Sequence, residues 1–123
     1  MSKKVIIVDE QGFSRICSAL LELQGCRAEC RPLSVCAVDL HHPDVGLVVT
    51  SYPYGEKLLE SLGGRELPVL VLADSLSDPL LNTLKQVRHA CCMVKPVDYE
   101  RLTSYVRQVL VGGASEWGGY DLV

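Results

Sequence analysis

Long apolar runs are missing from this sequence of 123 residues. Runs such as residues 69–73 are far shorter than the ~20 residues of a membrane-spanning helix. The amino terminus turns acidic at Asp9, too early for a secretion signal. An excess of positive charge is missing too, because 12 Lys and Arg stand against 15 Asp and Glu. We therefore expect a cytoplasmic protein that binds neither nucleic acid directly nor a membrane.

Paired cysteine motifs are also missing, although the chain has 6 cysteines. Cys26, Cys30 and Cys36 lack the C-x2-C spacing of a structural zinc site. Without an export signal, an even number of cysteines does not indicate disulfides. Cys26 and Cys30 would be ~13 Å apart along one strand, against the ~5.5 Å between Cα atoms that a disulfide needs. We expect reduced thiols, and a redox pair only where different elements bring two cysteines together.

A strand–helix unit repeats five times along the chain. The predicted strands are short apolar or alternating segments at residues 5–8, 26–31, 45–49, 67–73 and 91–94. The predicted helices have apolar residues three and four apart and cover residues 13–21, 33–40, 55–62, 79–87 and 98–110. Gly25 is predicted to end the first helix, and Asp98 to cap the last.

Strict alternation of this kind predicts a parallel sheet with helices on both faces. The first, third and fourth strands are continuously apolar, as central strands are, whereas the second alternates in polarity like an edge strand. The sequence therefore predicts an α/β, flavodoxin-like (βα)5 doubly wound sheet with strand order 2-1-3-4-5. This domain covers residues 1–111.

Residues 112–123 change character, because four glycines make this segment a flexible tail or the start of a linker. Trp117, Tyr120 and Leu122 favour a second interpretation, a docking peptide for a partner or for another copy of the chain.

Ligands of doubly wound sheets bind outside the carboxyl ends of the strands. That edge carries polar residues after four of the predicted strands, and they are Asp9 and Glu10, Thr50 and Ser51, Asp74, and Lys95. Two adjacent acids facing one lysine can hold a hard cation together with an anionic oxygen. The alternatives are a structural ion pair or solvated loop acids.

Four short motifs stand at the ends or starts of the predicted strands, in the order Val8-Asp9-Glu10, Pro43-Asp44, Leu67-Pro68-Val69 and Lys95-Pro96. Together and in this order, they resemble the receiver domain of response regulators, the CheY-like family. The resemblance covers roughly residues 3–111 and implies a place in two-component signal transduction or a phosphorelay. It also implies an acidic pair that binds Mg²⁺, an aspartate on the third strand that becomes phosphorylated, and a lysine that contacts the phosphoryl group. Asp9, Glu10 and Lys95 match the pair and the lysine.

The chain departs from the family at three positions. The acceptor position falls at Val49, or at Thr50 if the register shifts, and neither is a carboxylate. The hydroxyl position on the fourth strand is Ala73, and the aromatic switch position is Cys92. We therefore expect a pseudo-receiver whose remnant pocket is Asp9, Glu10, Thr50 and Lys95. Asp9 and Glu10 would hold Mg²⁺ weakly, and no other cofactor is expected.

We predict a protein–protein interaction module that works without phosphorylation and is not an enzyme. In receivers the face built from helix 4, strand 5 and helix 5 commonly mediates output or dimerisation. We therefore expect a signalling partner or a second copy of the chain to bind at residues 78–110, the 78–110 face. Its expected exposed residues are Lys85, Arg88, His89, Glu100, Arg101, Tyr105 and Arg107. The alternative is a flavodoxin-like domain that binds a small molecule or senses redox state.

Overall fold

The computed structural model describes residues 3–34, 40, 42–63, 66–87, 89–112 and 119–122. In chain order, the elements in these ranges are β1 (Lys4–Val8), α1 (Gln11–Leu23), β2 (Arg27–Cys30), β3 (Val45–Tyr52), α2 (Glu56–Ser61), β4 (Val69–Ala73), α3 (Asp78–Leu84), β5 (His89–Val94), α4 (Tyr99–Gly112) and β6 (Gly119–Leu122). The helix predicted at residues 33–40 lies largely outside the described residues. Helices α2, α3 and α4 are therefore the third, fourth and fifth predicted helices.

All described strands pair in parallel in one sheet with the order β2-β1-β3-β4-β5-β6. The predicted order of the first five strands is confirmed. The sheet buries apolar side chains on both faces, as its continuously apolar central strands require. Ile6, Val48 and Val71 pack on the side of α2 and α3, whereas Ile7, Val49 and Leu70 pack on the side of α1 and α4.

Residues Gly119–Leu122 form a sixth strand, β6, which pairs with His89–Cys92 of β5. The remainder of the tail predicted at residues 112–123 lies largely outside the described residues, and its interpretation as a tail, linker or docking peptide stays a prediction. Without β6, β5 would be an edge strand with unpaired backbone groups on its outer side. A further parallel strand after α4 satisfies those groups, and its glycine content does not prevent the pairing.

Local signals in the sequence fix where the helices begin and end. Gly25 has a φ of 85° just beyond the end of α1, a conformation that glycine adopts without steric cost. The Asp98 carboxylate accepts hydrogen bonds from the amides of Glu100 and Arg101 at 3.0 and 3.2 Å, so its predicted capping role is confirmed.

Among the helices of the described ranges, none combines the length and the apolar character needed to span a bilayer.

Strand β3 is longer than its apolar run predicts. It continues past Val49 to Tyr52, so that Thr50 and Ser51 lie within the strand. Thr50 pairs with Val8 of β1, and Ser51 pairs with Leu72 of β4. This register places Ser51 beside the residue that follows β1, which is Asp9.

Candidate functional site

The carboxyl edge of the sheet is organised around the side chain of Asp9. Its Oδ1 accepts a hydrogen bond from the Ser51 hydroxyl at 2.8 Å and another from the Glu10 amide at 2.8 Å. Ser51 is buried and Asp9 is half-buried, so this hydrogen bond is only partly open to water. The residue of β3 that contacts the acidic pair is therefore Ser51.

The start of α1 holds the backbone of Asp9 in place. The buried hydroxyl of Ser14 donates to the Asp9 carbonyl oxygen at 3.0 Å. The amide of Ser14 donates to the Glu10 carbonyl oxygen at 2.9 Å, which begins the helical hydrogen-bond pattern. These two hydrogen bonds from Ser14 hold the turn between β1 and α1 in place.

The side chains at the two predicted acceptor positions, Val49 and Thr50, contact other parts of the protein than the Asp9 carboxylate. Val49 is fully buried among apolar side chains on the side of α1 and α4. Thr50 is also fully buried, and its hydroxyl donates to the Val8 carbonyl oxygen at 2.7 Å. From the sequence, Ser51 was expected at this edge but not at the acceptor position, because the strand was predicted to end at residue 49. Counting β3 from its pairing with β1, rather than back from Pro53, is the signal that identifies Ser51.

The turn after β3 packs tightly against this site. The Gly55 amide donates to the Ser51 carbonyl oxygen at 2.7 Å. A Cβ atom on Gly55 would overlap the Thr50 hydroxyl oxygen and lie 3.1 Å from the Ser51 carbonyl oxygen. Glycine is therefore required here for close approach of the two backbones.

Glu10 and Lys95, the other predicted site residues, have different surroundings. The Glu10 side chain is exposed. The Lys95 ammonium lies 4.0 Å from Oδ1 of Asp74, and both side chains are well exposed to solvent. The Lys95 amide donates to the Ala73 carbonyl oxygen at 2.7 Å, which fixes the chain after β5 against the end of β4. The structure therefore brings Asp9 and Ser51 together, and pairs Lys95 with Asp74.

The positions predicted to have lost their family side chains are buried. Ala73 ends β4 inside the core and provides no hydroxyl. Cys92 lies within β5, and burial raises the pKa of its thiol. Both side chains belong to the apolar core on the side of α2 and α3.

The donor atoms at Asp9 do not fit a tightly held Mg²⁺ ion. Oδ1 of Asp9 already accepts two hydrogen bonds, and the neighbouring carboxylate of Glu10 is exposed. Across the described part of the chain, no three His, Cys, Asp or Glu side chains converge as a set of metal ligands. We derive no chemical step through a metal ion at this site.

Two residues predicted to be exposed on the 78–110 face are buried. His89 begins β5 between β4 and β6, and Tyr105 packs with the core on the side of α4. Arg88 lies outside the described residues. The side chains that are exposed on this face as predicted are Lys85, Glu100, Arg101 and Arg107. His89 is buried because the strand begins at His89 rather than at residue 91, whereas Tyr105 is buried because it lies on the side of α4 that packs against the sheet.

Comparison with solved structures supports the assignment of the fold. A CheY-like receiver domain protein from Methanospirillum hungatei JF-1 superposes with a TM-score of 0.70 at 18% identity, covering 95% of this chain and 100% of that one. The chemotaxis protein CheY4 of Vibrio cholerae gives a TM-score of 0.72 at 18% identity, covering 89% and 100%. The response regulator DrrB of Thermotoga maritima gives 0.63 at 20% identity, covering 90% and 54%.

The sequence matches no protein-family model and no curated protein. The structural likeness and the strand order together give one conclusion: this chain has the flavodoxin-like fold of response-regulator receiver domains.

Proposed function

We propose that this chain is a pseudo-receiver: a cytoplasmic regulatory domain of two-component-type signalling that acts through protein contacts and without aspartyl phosphorylation. The observation that carries the proposal is the hydroxyl of Ser51, which contacts Asp9 from the third strand of the sheet. A phospho-accepting receiver needs a carboxylate from that strand beside its acidic pair.

The chemistry of Ser51 supports this proposal. A serine hydroxyl is a weak nucleophile unless an adjacent base takes its proton. The Ser51 hydroxyl donates to Asp9, a carboxylate that also accepts from the Glu10 amide, and a carboxylate is ordinarily a poor base for a hydroxyl. At the end of β4, Ala73 has no hydroxyl to donate to a phosphoryl oxygen. An activated nucleophile and a hydroxyl ligand for the phosphoryl group are thus both missing at these positions.

The interaction surface in this proposal is the 78–110 face. Its exposed charged residues on α4, Glu100, Arg101 and Arg107, are mixed in sign. A small hollow beside them is lined by Met93, Val94, Pro96, Asp98 and Arg101. A protein surface of complementary charge fits this face, and a second copy of the chain is one such surface.

An amide NMR titration tests the proposal, first with Mg²⁺ and then with beryllofluoride as a phosphoryl mimic. We expect no clustered shifts at Asp9, Glu10, Thr50 and Lys95 in the natural chain. Ser51→Asp is the matched variant, because it adds a carboxylate at the contact with Asp9. We expect Mg²⁺ to shift the site resonances of that variant. Clustered shifts in the natural chain that spread to α3 would contradict the proposal.

A further inference from the structure

Two cysteines from different elements lie near the first turns of α1. Cys17 lies on the inner side of α1 and is fully buried, whereas Cys30 ends β2 and is exposed. The Cys30 thiol donates to the Ser14 carbonyl oxygen at 3.5 Å. Ser14 and Cys17 are three residues apart and therefore neighbours on one face of the helix. A helical side chain also leans toward the amino terminus, so the Cys17 side chain covers the turn that Cys30 contacts.

The electrostatics of Cys17 agree with this geometry. Burial raises the pKa of the Cys17 thiol to about 12, and the nearby Cys30 and Asp9 add to the increase because a thiolate at Cys17 would face two further negative groups. The exposed Cys30 is the thiol that an oxidant in solution reaches first, and Cys17 is the buried thiol on the face of α1 that Cys30 contacts through Ser14.

We propose that Cys17 and Cys30 form an intramolecular disulfide when a hydroperoxide oxidises the protein. In the first step the Cys30 thiolate attacks one peroxide oxygen, the O–O bond breaks, and the released oxygen leaves, after protonation, as water or an alcohol. Cys30 is then a sulfenic acid. In the second step the sulfur of Cys17, losing its proton, attacks the sulfur of Cys30. The S–O bond breaks, the S–S bond forms and water leaves, so that two thiols are oxidised and one peroxide is reduced.

The thiol pair is joined to the Asp9 site by a continuous series of contacts. Cys30 contacts the Ser14 carbonyl, the Ser14 hydroxyl contacts the Asp9 carbonyl, and the Asp9 carboxylate accepts from Ser51. Closing the disulfide removes the first of these contacts and ties the end of β2 to α1. Oxidation of the pair therefore changes the surroundings of Asp9 and Ser51. This inference does not rest on the proposed signalling function.

The test is oxidation of the full chain with a small excess of hydrogen peroxide, followed by intact mass and non-reducing peptide mapping. We expect the intact mass to fall by two hydrogens and to recover with a thiol reductant. Trypsin leaves Cys17 with Cys26 on one peptide and Cys30 with Cys36 on the next. The assignment is therefore made in the Cys26→Ser, Cys36→Ser variant, in which a link between these peptides can only join Cys17 to Cys30.

Single variants separate the two thiols. Cys30→Ser, at an exposed position, should lose the disulfide completely and keep the fold. Cys17→Ala should leave Cys30 at the sulfenic acid, which a dimedone adduct detects. In the natural chain, oxidation should shift the amide resonances of Ser14 and Ser51. A peroxide-treated chain in which Cys30 stays reduced, or in which Cys30 is linked to a different cysteine, overturns the proposal.

Discussion

Ser51 and Val49 lie two residues apart on one side of β3, yet their surroundings differ sharply. Ser51 reaches the edge of the sheet and contacts Asp9, whereas Val49 is enclosed by the core between the sheet and two helices. The chemistry of the site therefore depends on which of the two positions faces the acidic pair. The hydrogen bond to Asp9 assigns that role to Ser51.

Aspartate substitutions at the two positions distinguish them. Val49→Asp places a carboxylate in the apolar core, and we expect it to lower the free energy of unfolding by about 3 kcal/mol or more. Ser51→Asp places the carboxylate at the partly hydrated edge, where the repulsion from Asp9 should cost less. Urea denaturation of both variants measures the difference, with Val49→Ala as the control for lost packing. Equal stability of the two aspartate variants would show that our assignment of the register is incorrect.

Because Glu29 is paired with two cations, we expect the stability of the protein to depend on pH. The Lys4 ammonium lies 2.6 Å from its carboxylate, and Arg31 lies 3.5 Å away. The hydrogen bond from Lys4 is the main cause that lowers the pKa of Glu29 below its usual value of 4.5, and partial burial opposes it. Because the folded pKa is the lower one, this stabilisation is present above pH 4.5 and is lost as pH falls through the folded pKa.

We expect Glu29→Gln to reduce the dependence of the unfolding free energy on pH in this acidic range. Urea denaturation at a series of pH values measures how the unfolding free energy of each variant changes with pH. Glu22→Gln, at an exposed position on α1, is the matched control and should keep the dependence of the natural chain. A Glu29→Gln variant with an unchanged pH profile would contradict the ion pair between β1 and β2.

At the scale of elements, β6 completes the sheet at the outer side of β5. Removing residues 113–123 should leave the domain folded, because the buried apolar residues of the described core lie before residue 110. The amides of β5 that face β6 should then exchange with solvent about tenfold faster or more, since their hydrogen-bond acceptors are gone. Hydrogen exchange followed by NMR measures this, with the amides of β3 as the internal control. Unchanged exchange in β5 would mean that residues 119–122 do not pair with it in solution.

The sequence predicts some elements better than others, for physical reasons. Apolar runs and helical periodicity predict the first five strands and the four helices of the described ranges, and Gly25 and Asp98 predict two helix ends, because each of these signals is local. The end of β3 is not local, because Thr50 and Ser51 become strand residues through pairing with β1 and β4. The contact of Ser51 with Asp9 depends on that register, and the contact of Cys30 with Ser14 depends on packing between elements. Neither contact could be predicted from spacing alone.

At the scale of the whole molecule, one sheet separates two apolar cores, and the Asp9 site lies at its carboxyl edge. Lys95 follows β5 at this edge and forms an ion pair with Asp74, and both residues are well exposed. Exposed ion pairs of this kind contribute less than about 1 kcal/mol to stability. The lysine therefore has little influence on folding.

Lys95→Ala should consequently leave stability and self-association nearly unchanged. Sedimentation of the natural chain and the variant over the same concentrations measures self-association. Arg107→Glu, on the exposed side of α4, is the comparison that should weaken any dimer formed through the 78–110 face. A folded Lys95→Ala variant that loses self-association would contradict an interaction surface that is independent of the phosphorylation pocket.

The most direct test of the central claim is the intact mass of the full chain after incubation with acetyl phosphate and Mg²⁺. The Ser51→Asp variant is treated in the same way. We predict that the natural chain gains no phosphoryl group, because the β3 residue that contacts Asp9 is a serine and not a carboxylate. A phosphoryl adduct on the natural chain, mapped to Asp9, Glu10 or Ser51, would contradict the pseudo-receiver assignment.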